Sequence, residues 1–109
     1  MALPGFGRYS EPALLVLVSL LDGAKHGYAI SDDVGRLTGA RPGPGTLYGA
    51  IARLEQRGLV EAVPSDDRRK PYRLTAVGRE ELQRELDRVS IVTREARRRL
   101  RLAAGRGGA

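Results

Sequence analysis

The chain has 109 residues, a formal net charge of +6 at pH 7, no Cys, no Trp and a single His. That length supplies one domain with a modest core. The missing thiols exclude a disulfide framework and thiolate metal sites. With one imidazole, zinc binding and Ser–His catalysis have almost no raw material, so no catalytic residue, metal site or cofactor is expected.

The basic excess is unevenly spread, with net charge +2 over residues 1–75 and +4 over residues 76–109, and it points to an anionic partner. Residues 1–9 hold Pro4, Gly5 and Gly7, which break any periodic pattern and predict a flexible N-terminal arm. A first helix follows in SEPALLVLVSLLDG: Ser10 is a capping residue, Glu11 suits the positive helix end, Pro12 fits the first turn, and Gly23 stops the run. Its nine-residue apolar stretch, Ala13–Leu21, is far short of the ~20 residues that span a bilayer. Glu11 before it and DGAKHG after it do not fit a signal peptide, so a cytoplasmic protein with no membrane partner is expected.

HGYAISDDVGRLTG carries Ile30, Val34 and Leu37 at helical spacing and predicts a short amphipathic helix ending near Gly39. Gly35 weakens that helix by about 1 kcal/mol relative to Ala, so tertiary packing has to hold it. His26, the lone histidine, is expected to cap or orient this helix rather than bind metal. After the turn GARPGPG, Pro44 opens a third helix, GTLYGAIARLEQRGLV (Gly45–Val60). Leu47, Ile51, Leu54 and Gly58 share one of its faces, and Gly58 suits a left-handed cap. The opposite face holds Gly49, Ala52, Arg53 and Gln56, where a water-facing helix would carry more Glu and Lys.

Two strand-like runs, LVEAV and YRLT, flank the polar loop PSDDRRKP and predict a β-hairpin with a charged tip. From the capping residue Thr75 a long helix is predicted to about Ala104, ~40 Å at 1.5 Å per residue. Leu82, Leu86, Val89, Thr93, Ala96, Leu100 and Ala103 keep the alternating spacing of a coiled-coil seam, longer than this small domain covers. The first part of that seam is expected to lie on its own domain and the rest to pair with a second copy. Glu80, Glu81, Glu85 and Asp87 sit early in this helix, where the dipole favours acids, and REARRRLR (Arg94–Arg101) late, where it favours bases.

The predicted organisation is an arm (1–9), a domain of three helices and a hairpin (10–75), a dimerisation helix (76–104) and a disordered tail (105–109). The fold class is mainly α with a small β-hairpin (α+β), an order of elements that matches the winged helix-turn-helix.

HGYAI (His26–Ile30), PGTLYGAIARLEQRGLV (Pro44–Val60) and RRKPYRLTAVGREEL (Arg68–Leu82) resemble, in order and spacing, the PadR-like family of transcriptional regulators, in its short form with a single C-terminal helix. The resemblance implies a bacterial homodimeric repressor of a pseudo-palindromic double-stranded DNA operator, joined through the C-terminal helix. It also implies, as in some relatives, possible release by a small apolar or aromatic effector. The wing departs from the family's Gly-rich, basic pattern in carrying Asp66 and Asp67, and a pocket built on a tryptophan pair is not available without Trp.

With the resemblance in place, the third helix is expected to enter the major groove. Gly49 and Ala52 permit close approach, Arg53 and Gln56 reach base edges or phosphates, and Thr46 and Tyr48 contact phosphate or sugar. Arg68, Arg69 and Lys70 at the hairpin tip are expected on the phosphate backbone or in the minor groove, the alternative being a solvated turn partly neutralised by Asp66 and Asp67. The alternatives are that Tyr48 packs on the hairpin, that the small-residue face covers another helix, and that the winged helix is a protein-interaction module without specific DNA binding.

Overall fold

The computed structural model describes residues 11–66 and 68–106; the expected arm, the Ser10 cap, Asp67 and residues 107–109 of the expected tail lie outside them. Four helices and three short strands follow in the order α1 (Glu11–Ser19), β1 (Lys25–His26), α2 (Gly27–Thr38), α3 (Pro44–Gln56), β2 (Val60–Ala62), β3 (Pro71–Leu74) and α4 (Ala76–Gly105). A single 3₁₀ turn, Leu20–Asp22, extends α1 before Gly23 ends it.

The core lies where α1 crosses the other helices. Val16, Leu17 and Leu20 meet Ile30 and Val34 of α2, Leu47, Ala50, Ile51 and Leu54 of α3, Leu59 and Val60 of the hairpin, and Leu82 of α4. Burying each large aliphatic side chain contributes about 1.5–3 kcal/mol, so this cluster is the principal source of stability. The apolar α1 is shared by α2, α3 and α4 and acts as the central post.

The third helix stops at Gln56, shorter than the Gly45–Val60 reading. Gly58 lies outside it with φ +75°, and its N–H donates to Glu55 O at 3.0 Å while Leu59 N–H donates to Leu54 O at 3.0 Å. That pair of bonds is a Schellman cap, which requires the left-handed backbone that glycine adopts without strain. The cap turns Leu59 and Val60 into the core instead of extending the helix.

The sheet has three antiparallel strands in the order β1–β3–β2, where the sequence predicts a two-stranded hairpin. Lys25 pairs with Tyr72 and His26 with Pro71, while Val60, Glu61 and Ala62 pair with Leu74, Arg73 and Tyr72. The added strand is two residues long and owes its conformation to its partner rather than to local propensity. His26 occupies the N-cap position of α2, but its side chain makes no capping bond, and Nδ1 is buried without a hydrogen-bond partner among the described residues. Leu37, expected on the apolar face of α2, is exposed in the last turn of the helix.

Thr75 caps α4 as read: its Oγ1 accepts from Gly78 N–H at 2.9 Å and donates to Gly58 O at 2.7 Å. The helix takes in Gly105, one residue past the predicted boundary. Only its first turns are covered by the domain, at Gly78, Leu82 and Glu85, and the remainder projects along a molecule 62 Å long and 27 by 23 Å across. Glu85 is not a solvated first-turn acid but a buried carboxylate that accepts from Arg88 Nη2 at 3.1 and 3.3 Å. No helix of the described residues is long and apolar enough to cross a membrane.

Candidate functional site

Pro44 occupies the first turn of α3, where its missing N–H costs nothing, and Gly43 stands before it in an extended conformation. Gly43 has no side chain to cap this end, and residues 43–46 are exposed, so the positive pole of α3 is open to solvent. Leu47, Ala50, Ile51 and Leu54 turn inward and are buried. On the other side, Thr46, Ala52, Arg53 and Gln56 are exposed, Gly49 is half-buried, and Tyr48 keeps 50% of its surface open. The structure thus brings all six predicted residues of this helix onto one outward-facing surface.

Two glycines shape that surface. The Tyr48 ring lies across Gly27 at the start of α2, where a Cβ would meet Tyr48 Cε1 and Cζ at 2.7 Å. Tyr48 is therefore anchored on the first residue of α2, close to Tyr72 of the hairpin, with half its surface open. Arg53 folds back over Gly49, its Nη1 3.4 Å from where a Cβ on that glycine would stand. A larger residue at position 49 would lift the guanidinium away from the helix.

The hairpin packs beside α3 through β2, and Tyr72 of β3 packs on the core next to it. Burial, and then the nearby charges of Glu55 and Tyr48, push the Tyr72 phenol above its usual pKa. Arg68, Arg69 and Lys70 are exposed in the loop joining β2 to β3, whose base is closed by Val63 N–H donating to Pro71 O at 2.8 Å. Asp66 is exposed in the same loop. Because Pro71 pairs with His26, Lys70 lies next to the start of α2, where Tyr48 is also anchored.

The predicted seam of α4 divides. Leu82 is 1% exposed and belongs to the chain's own core, whereas Leu86, Ala96, Leu100 and Ala103 are exposed and Val89 and Thr93 half-buried. Leu100 is 69% exposed. Opposite charges line the helix near its end: Glu95 accepts from Arg98 at 2.9 Å and Arg99 at 2.8 Å, which hold its carboxyl below the usual range.

The surface combines an exposed helix N-terminus, small residues, one guanidinium and one amide, with a basic loop beside it. Residues 16–84 match the model of the transcriptional regulator PadR-like family. An uncharacterized 37.1 kDa protein of transposon TN4556 from Streptomyces fradiae is 47% identical over 78 residues, which cover 72% of this chain; the chain spans 23% of that relative's length. Among solved structures, a PadR family transcription regulator from Clostridium difficile superposes with a TM-score of 0.75 at 23% identity, over 84% of this chain and 99% of that one. A PadR-like transcriptional regulator from Bacillus cereus superposes at 0.73 with 20% identity, over 81% and 89%. At those identities the two structures speak for the fold.

Proposed function

The chain belongs to the PadR-like family of transcriptional regulators, and on that premise we propose that it is a homodimeric repressor that binds a pseudo-palindromic operator in double-stranded DNA. The observation that carries this reading is the outer face of α3: small at Gly49 and Ala52, with Arg53 and Gln56 exposed beside them and an exposed first turn. A major groove about 12 Å wide admits an α-helix, and small residues let the helix approach the base edges closely. Arg53 and Gln56 read bases, and the first turn of α3, with Thr46 and Tyr48, holds a phosphate.

The exposed part of the α4 seam, from Leu86 to Ala103, supports pairing with a second copy, since a row of apolar residues on an overhanging helix is unfavourable in water. A twin recognition helix then falls one helical turn of DNA away, about 34–36 Å. The small residues Ala96 and Ala103 leave room between paired helices for an apolar or aromatic effector, and the site of action is the bacterial cytoplasm.

Arg68, Arg69 and Lys70 contribute charge rather than sequence selection. Arg69→Ala is expected to weaken binding to operator and scrambled duplexes alike and to lower the slope of log affinity against log salt by about 1. Fluorescence anisotropy over a salt series reads both quantities. An unchanged slope would remove the wing from the interface.

A further inference from the structure

The turn that delivers α3 is held at its start by the Thr38 hydroxyl, bonded to Ala40, and is tied back along α2 by one long side chain. Arg41 lies between the end of α2 and Pro44, and its side chain runs back along the outer face of α2. A Cβ on Gly35 would stand 2.9 Å from Arg41 Cγ, so the arginine stem rests on bare glycine backbone. Farther along, the guanidinium pairs with Asp32 and reaches over the Tyr28 ring, its Cζ 5.1 Å from the centroid. Gly35, Asp32 and Tyr28 are spaced at intervals of three and four residues and share one helical face. The side chain therefore spans two turns of α2.

The cation is engaged within the protein. Asp32 also binds Arg36 at 2.6 Å, and Arg36 reaches Asp33 at 3.5 Å, so two arginines face two carboxylates. This balance argues against Arg41 as a free phosphate ligand, and a guanidinium within about 6 Å of a ring face is attracted to it. Such a strap has a mechanical purpose here, because α3 packs chiefly on α1 and only lightly on α2. Tyr48 on Gly27 fixes one point between α2 and α3, and Arg41 on Gly35 supplies a second, at the opposite end of α2. Gly35, unfavourable in the middle of a helix, is accounted for by the stem it makes room for.

Resting on the DNA-binding reading, we propose that Arg41 is a positioning residue for operator recognition: through Gly35, Asp32 and Tyr28 it straps the turn before α3 to α2 and sets the angle of the reading face. Base readout demands placement within about 0.5 Å, whereas phosphate contacts tolerate more, so the strap governs specificity rather than overall affinity.

The test compares the full chain with Arg41→Met, which keeps the stem and removes the cation, and Gly35→Ala, which puts a methyl under the stem. Both are expected to lower operator affinity about tenfold while scrambled-duplex affinity and the salt slope hold, since no phosphate contact is lost. Gly35→Ala should do so without a lower melting temperature, because Ala is the better helix former. Gly35→Ala and Arg41→Met binding like the parent would overturn the strap alone and leave the DNA reading standing. Equal losses on both duplexes with a slope lower by about 1 would also overturn it, making Arg41 a phosphate contact. A parent chain that binds no duplex would sink the DNA reading and the strap together.

Discussion

Gly78→Ala is expected to destabilise the fold by about 3 kcal/mol, although alanine favours helices and the site is in the first turn of α4. Gly78 is buried, and a Cβ there would collide with the carbonyl oxygen of Leu59 and stand 2.9 Å from its carbon. That carbonyl is not free to move. It accepts from Thr75 N–H at 3.1 Å and shares with Gly58 O the proton of the Thr75 hydroxyl, at 3.1 Å, and the same hydroxyl caps Gly78. Relief therefore requires α4 to lift away from the start of β2, which breaks the cap and uncovers Leu82. Thermal or urea unfolding measures the loss. A variant within about 0.5 kcal/mol of the parent would mean that α4 is held far more loosely than this contact implies.

The second large effect is on binding. Arg53→Ala is expected to cost about 1–3 kcal/mol on the cognate operator and to relax sequence preference, while leaving affinity for scrambled duplexes nearly unchanged. The side chain is exposed and lies over Gly49, so stability should stay within about 0.5 kcal/mol of the parent. Gln56→Ala tests the same face one turn on, with a smaller loss because an amide makes uncharged bonds. Competition binding with singly substituted operators separates the two positions. Intact affinity and preference in Arg53→Ala would show that α3 reads DNA through other residues or not at all.

These two sites differ in how far the sequence exposes them. The outer face of α3 was legible because its message is compositional: Gly49 and Ala52 stand where a solvated helix would carry long polar side chains, and Pro44 and Gly58 mark its limits. Thr75 was equally plain, since a cap acts within four residues of itself. What stayed hidden depends on partners distant in the chain. Gly78 means little until Leu59 is beside it, and Gly27 until Tyr48 lies across it. The two residues of β1 carry no period of their own and become a strand by pairing with Pro71 and Tyr72. Glu85 reads as one acid among several, and only the path of α4 over the domain buries it with Arg88 alongside. Leu37 errs in the other direction: helical spacing predicts which way a side chain faces, not whether anything lies there to cover it.

The most direct measurement is fluorescence anisotropy of the purified chain on labelled duplexes tiling the region upstream of its own gene, with a scrambled duplex and a salt series in parallel. The expected result is tight binding to one tile, with affinity falling steeply in log salt and well above that for the scrambled duplex. Equal binding to every tile would contradict sequence-specific regulation at this site. No binding even at low salt would contradict the account at its root and leave the small-residue face of α3 as a surface for protein.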